Sequence, residues 1–161
     1  MIIVAKVLSN DLLRVKPKNG SQKLKIVLPI GVSVNKLYTM FRGRKQISNE
    51  GKKYIRTVVP VIMQNIKNQG WEKDAKGVWH VVEITYYFPD RKKRDASNYL
   101  KLMLDVLEGL VYENDQFVRV HEKYVGLDRE NPRMEIKIRH CWEEDLKYEK
   151  KTKESGVENN K

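Results

Sequence analysis

Residues 78–88 read V-W-H-V-V-E-I-T-Y-Y-F and stop at Pro89. The run is rich in valine, isoleucine, tyrosine and threonine and it alternates, as a strand on a pleated, half-buried surface does. Proline has no backbone N–H and cannot extend a ladder, so the strand ends there. One strand cannot satisfy its own backbone groups, so the rest of the chain must supply partner strands and a covering layer.

Three more strands and two helices fit that need. Residues 24–28 (L-K-I-V-L) form a short strand ahead of Pro29, and residues 118–125 and 134–138 form two others, joined by the turn-rich D-R-E-N-P at 128–132. Ser48 offers an N-cap for a helix over 51–67 with apolar positions at Tyr54, Ile55, Val58, Val59, Ile62 and Ile66, which Pro60 can kink. A second helix runs from Ser97 or Asn98 to Glu108, with Gly109 placed to end it and an apolar face of Tyr99, Leu100, Met103, Leu104 and Leu107. Residues 31–43 read as a polar loop carrying Tyr38 and Phe41, residues 68–77 as a polar connection, and 2–8 as an uncertain extra strand.

The order strand-helix-strand-helix-strand-strand implies an α+β (mixed α/β) domain around one mixed sheet. With 161 residues there is room for one core. We expect a single domain over 1–142, with 1–22 as a candidate N-terminal extension and 143–161 as a charged, disordered tail.

The chain carries 32 Lys and Arg against 21 Asp and Glu, a net charge of +11, and the last nineteen residues hold six acids against five lysines. The positive excess therefore belongs to the body of the chain, where it attracts polyanions, nucleic acid first among them. No apolar stretch approaches a membrane span, and residues 1–8 lack a signal-peptide pattern, so a cytoplasmic location is expected. Cys141 has no partner for an intramolecular disulfide, and a strand places it and His140 on opposite faces, which disfavours a catalytic pair. His80, His121 and His140 lack the short spacing of a zinc site, and no phosphate-binding glycine loop is present, so neither zinc nor a nucleotide cofactor is expected. Trp71, Trp79 and Trp142 read as core anchors.

The chemistry concentrates between Phe88 and Asp115. Four consecutive cations, Arg91, Lys92, Lys93 and Arg94, sit between the strand end and Asp95. On the following helix, Asn98, Lys101 and Asp105 are three and four residues apart and share one face. Bare carboxylates repel a phosphodiester, but carboxylates that hold Mg²⁺ neutralise it, while flanking Arg and Lys grip neighbouring phosphates. Each residue also has an ordinary explanation. Asp95 can favour a helix N-terminus, Lys101 and Asp105 can be a surface pair, and Asn114-Asp115 can be turn chemistry.

The stretch R-K-K-R-D-A-S-N-Y-L-K, with L-x-x-L-D-x-L-E-G ahead of V-Y-E-N-D-Q, resembles the core signature of the RusA-type Holliday junction resolvases. Upstream, S-V-N-K-L-Y, R-G-R and I-S-N-E-G-K-K-Y are similar to that family's amino-terminal region, so the likeness covers roughly residues 24–139. The resemblance implies a homodimeric, Mg²⁺-dependent endonuclease, with Mn²⁺ able to substitute, that resolves four-way DNA junctions by paired symmetric incisions. It assigns metal binding to Asp95 and Asp115, with Asp105 as a recurrent acid of lower standing, and an assisting role to Lys101. Arg91, Lys92, Lys93 and Arg94 would hold the DNA backbone, and Arg42, Arg44 and Lys45 would extend the grip.

One position departs. Where the best-known form of the motif reads D-x-D-N, this chain has Asp95-Ala96-Ser97-Asn98, one carboxylate short. Either a water, Asn98 or Asp105 fills the gap, or the enzyme is slower, or the protein has become a binder. Two competing readings follow: a non-catalytic branched- or single-strand DNA binder that stacks bases on Tyr38 and Phe41, and a basic RNA-associated protein. Metal-dependent cleavage of branched DNA discriminates the first, and competition with structured RNA the second.

Overall fold

The computed structural model describes residues 22–141. The uncertain strand at 2–8, the 143–161 tail and Trp142 lie outside them. Four strands form one mixed sheet in the order β1-β6-β4-β5. They are β1 (Lys23–Pro29), β4 (His80–Phe88), β5 (Val118–Leu127) and β6 (Arg133–His140). β6 is antiparallel to both β1 and β4, whereas β5 runs parallel to β4 along the edge. The fold is mixed α+β, as expected.

Alternation decides which face is covered. Leu24, Ile26 and Leu28 of β1, Met134, Ile136 and Ile138 of β6, and Val82, Ile84, Tyr86 and Phe88 of β4 are all buried on one side. Helix α2 (Asn49–Gln69) lies against this layer through Tyr54, Val58 and Ile62, and the shorter α3 (Leu100–Leu107) through Leu102, Met103, Val106 and Leu107. The expected α3 stripe therefore needs correction. Leu102 and Val106 are among its buried residues, while Tyr99, Leu100 and Leu104 are only partly covered. Residues 96–99 form a 3-10 turn rather than the helix start.

Ser48 caps α2 as expected, its Oγ accepting from the Gly51 N–H at 3.1 Å. Pro60 is accommodated within the continuous helix because it faces solvent, where water can meet the carbonyl it leaves unbonded. Gly51 is required by close approach, since a Cβ there would stand 2.7 Å from Ile47 Cγ2 and 3.0 Å from Leu37 Cδ1.

The segment 31–43, expected to be a loop, instead opens a second small element. A short helix α1 (Val34–Leu37) leads into a hairpin of β2 (Tyr38–Phe41) and β3 (Arg44–Ile47). Arg42 and Gly43, at φ 49° and 74°, supply the positive-φ pair of a two-residue turn. Almost every hairpin residue is exposed, so no apolar alternation announces the strands in sequence. Residues 128–132 do join β5 to β6, but those strands are not neighbours; both flank β4, and the Asp128 N–H anchors the crossing to the Phe88 carbonyl at 2.8 Å. Trp71 is buried, its indole N–H donating to the Val111 carbonyl at 2.9 Å, and Trp79 packs edge-on to Phe117. Among the described residues, no helix is long and apolar enough to cross a membrane.

Candidate active site

The chain leaves β4 into the basic run. Asp90 gathers part of it: the Lys92 N–H donates to Oδ1 at 3.0 Å, and the Arg94 guanidinium donates to the same oxygen. The Arg94 hydrogen bond, followed by that from the Lys92 N–H, lowers the Asp90 carboxyl to a pKa of about 2. Arg94 also stands over the Phe88 ring at 5.3 Å, so it is a half-buried clasp, while Arg91, Lys92 and Lys93 are exposed.

Asp95 then caps the 3-10 turn, Oδ1 accepting from the Ser97 N–H at 3.0 Å and from the Ser97 hydroxyl at 2.7 Å. Asn98 is half-buried in the same turn. One turn into α3, the Lys101 ammonium meets Asp105 at 3.4 Å. Asp105 most strongly, then Tyr38 and Asp115, raise the Lys101 pKa, which keeps the lysine charged. Asp115 opens the 3-10 turn before β5, beside Asn114, whose side chain accepts from the Gln116 N–H at 2.9 Å. The buried Tyr112 hydroxyl donates to the Leu104 carbonyl at 3.0 Å; burial raises its pKa, with the charges of Asp115, Glu108 and Asp105 adding to the effect. Lys101, Asp105 and Asp115 thus share one electrostatic neighbourhood.

Asp95 belongs to a second one. Burial raises the pKa of the Tyr86 hydroxyl, and the two carboxylates that add to the shift are Glu122 and Asp95. Sequence reading missed both Tyr86 and Glu122. Each lies inside an expected strand, 78–88 and 118–125, and carries no motif that would single it out. Their shared side depends on the register in which β5 pairs with β4.

The hairpin stands beside the first neighbourhood, since Tyr38 at its base acts on Lys101. Lys45 Nζ lies 4.1 Å from the centre of the Tyr38 ring and Arg42 lies 5.2 Å from that of Phe41; Arg44 is exposed. A cleft of about 370 Å³ separates the hairpin base from α2 and α3, lined by Leu37, Tyr38, Ile47, Leu102, Asp105 and Val106 among others.

The structure also joins two histidines that the sequence keeps 60 residues apart. His80 and His140 are register partners on β4 and β6, and both Nε2 atoms meet buried Asp74 Oδ2, at 3.2 and 2.6 Å. Among the described residues, these three side chains can bring their ligand atoms within 4.8 Å of one another. Scattered spacing was therefore a poor guide to their proximity. They lie under Trp71 and Tyr112, away from solvent, as a hydrogen-bonded core group.

Comparison with known proteins bears on the exposed acidic and basic surface. The chain is 34% identical over 82 residues to the crossover junction endodeoxyribonuclease rusA of Enterobacteria phage 82 and to that of Shigella sonnei strain Ss046. It is 33% identical over the same length to the corresponding protein of Escherichia coli strain K12. Each match covers 51% of this chain and 64% of the relative, less than two thirds of the relatives' length. The family profile described as Endodeoxyribonuclease RusA matches residues 28–139, from the last residues of β1 almost to the end of β6, and so takes in the hairpin, all three α-helices and every candidate acid above. On the strength of that match, which covers more than half of the chain and most of the described fold, the chain belongs to the RusA endodeoxyribonuclease family.

Proposed function

We propose that the chain is a divalent-metal-dependent endodeoxyribonuclease that resolves four-way DNA junctions by paired symmetric incisions, working in the cytoplasm as a homodimer. The observation that carries this reading is Lys101, paired with Asp105 at 3.4 Å on an exposed face flanked by basic residues. Exposed carboxylates and a lysine suit a phosphodiester only if the carboxylates are neutralised in use, and their oxygens are the donors a hard cation such as Mg²⁺ takes. Asp95 and Asp115, which lie in two separate electrostatic neighbourhoods, would hold one or two such ions, with Mn²⁺ an alternative occupant. The bound cation would supply charge neutralisation at the phosphoryl group.

The remaining roles fall to the chain. Lys101 would stabilise negative charge developing on the phosphoryl oxygens, and Asp105 would hold its ammonium in place. Exposed Arg91, Lys92 and Lys93 would bind backbone phosphates, as would Arg42, Arg44 and Lys45 on the hairpin. A four-way junction is nearly two-fold symmetric, so a C2 dimer would present two sites to opposing strands.

Ser97 at the position of a family carboxylate favours a second reading, a junction binder without cleavage. One experiment separates them: a labelled mobile junction incubated with and without Mg²⁺, with wild type and Asp95→Asn. Paired nicks that need Mg²⁺ and vanish in the variant support the nuclease. Tight binding with no cleavage by wild type leaves the binder.

A further inference from the structure

The acids available to replace the missing carboxylate are constrained by their partners. Ser97 spends its hydroxyl proton on Asp95 Oδ1, and Asp105 is paired with Lys101. Glu122 is exposed and has no hydrogen-bond or ion-pair partner among the described residues. Its position follows from pairing: Glu122 stands opposite Ile84 in the parallel β4–β5 ladder, and Ile84 and Tyr86 face the helices. Directly afterwards the register shifts, with Lys123 as the additional residue, because Tyr124 is next opposite Thr85. Such bulges re-aim a side chain at the edge of a sheet.

An independent observation marks the same place. Tyr86 is 0% exposed, and its hydroxyl has no hydrogen-bond partner. Buried hydroxyls are ordinarily paired, so an orphan beside two carboxylates points to a ligand that would complete it. The carboxylates whose charges reach that hydroxyl are Asp95 and Glu122. Asp95 spends Oδ1 on the 3-10 turn, while Oδ2 takes no hydrogen bond among the described residues.

We propose that Glu122 supplies the carboxylate that Ser97 lacks, forming a divalent-cation site with Asp95 on the helix-facing side of the sheet edge, and that the Tyr86 hydroxyl positions the oxygens of that site. This rests on reading the protein as a metal-dependent nuclease, and it moves one ligand from the α3 entry turn to strand β5. On this reading the acid at 122 compensates for the serine at 97.

The test measures Mn²⁺ binding to the full chain without DNA, by electron paramagnetic resonance of free Mn²⁺, together with the Mn²⁺-induced rise in melting temperature. Glu122→Gln should weaken Mn²⁺ binding by about tenfold or more, as should Asp95→Asn, and adding Ser97→Asp to Glu122→Gln should restore binding. Tyr86→Phe, which removes the orphan, should melt higher without metal yet gain less from Mn²⁺. If Glu122→Gln binds Mn²⁺ like wild type while Asp95→Asn does not, the proposal is overturned and the metal-dependent reading stands. If Asp95→Asn also binds unchanged, both fall. Failure of Ser97→Asp to rescue a weakened Glu122→Gln overturns the compensation.

Discussion

The Ser97 hydroxyl donates to Oδ1 of Asp95 at 2.7 Å, and the Ser97 backbone N–H reaches the same oxygen at 3.0 Å. Asp95 is therefore both a cap and a candidate ligand, and the two duties can be separated. Asparagine caps a turn about as well as aspartate, but it carries no charge. Asp95→Asn should melt within about 0.5 kcal/mol of wild type yet lose junction cleavage, whereas Asp95→Ala should lose cleavage and about 0.5–2 kcal/mol of stability. Thermal melting beside a cleavage assay checks both, and a stable, active Asp95→Asn contradicts the ligand role.

Lys101 lies on an exposed helix face, where its pair with Asp105 is worth only about 0.2–0.5 kcal/mol. Lys101→Met should therefore leave the melting temperature nearly unchanged while lowering the single-turnover cleavage rate by about 100-fold or more, with junction affinity changed far less. A fall in affinity that accounts for the whole loss of rate would make Lys101 a phosphate contact only.

The basic run divides by structure. Arg94 is tied to Asp90 and the Phe88 ring, whereas Arg91 and Lys93 are exposed. Arg91→Ala and Lys93→Ala should each flatten the plot of log affinity against log salt by about 0.9 on duplex arms. Arg94→Ala should act chiefly on stability. Equal salt slopes in wild type and both exposed-site variants would remove these residues from the DNA contact.

His80 sets a pH dependence. Burial first, then the His140 charge, lowers its pKa, and the Asp74 hydrogen bond opposes them without reversing the shift. The folded state therefore binds the His80 proton less readily than the unfolded chain, whose value is about 6.5. Stability from the neutral ring is present above that value and is lost as pH falls below it toward the lower folded value. Urea denaturation at pH 8 and pH 5.5 should show the loss, and His80→Gln should reduce it. An unaltered pH dependence in the variant would refute the assignment.

Gly51 has a Cβ position already filled by Ile47 and Leu37. Alanine is otherwise the better helix former, so propensity alone predicts stabilisation by Gly51→Ala. Overpacking should win, with a net loss of about 1–3 kcal/mol in chemical denaturation. A gain in stability would mean that the hairpin base yields freely.

The sequence alone determined the elements whose pattern is periodic and buried. Alternation and Pro89 delimited β4, Ser48 marked the start of α2, and the L-x-x-L spacing before Gly109 marked α3. The resemblance to the RusA motif nominated Asp95, Lys101 and Asp115 as site residues, which spacing by itself did not. The hairpin was illegible because both of its faces meet solvent and its strands carry no apolar period. The α3 face was misjudged because six of its eight residues, L-K-L-M-L-D-V-L, are apolar, so the pattern fits more than one buried stripe and packing on the sheet decides between them.

What only the tertiary structure decided is which side chains meet across strands. β4 lies between β5 and β6, which sets His80 against His140 and places Glu122 on the side of Tyr86. A one-residue slip flips every side chain on a strand, and the bulge at Lys123 is such a slip built into β5. Register is a property of the paired sheet rather than of either strand. The acid at 122 and the orphaned hydroxyl at 86 therefore become neighbours only once the sheet has formed.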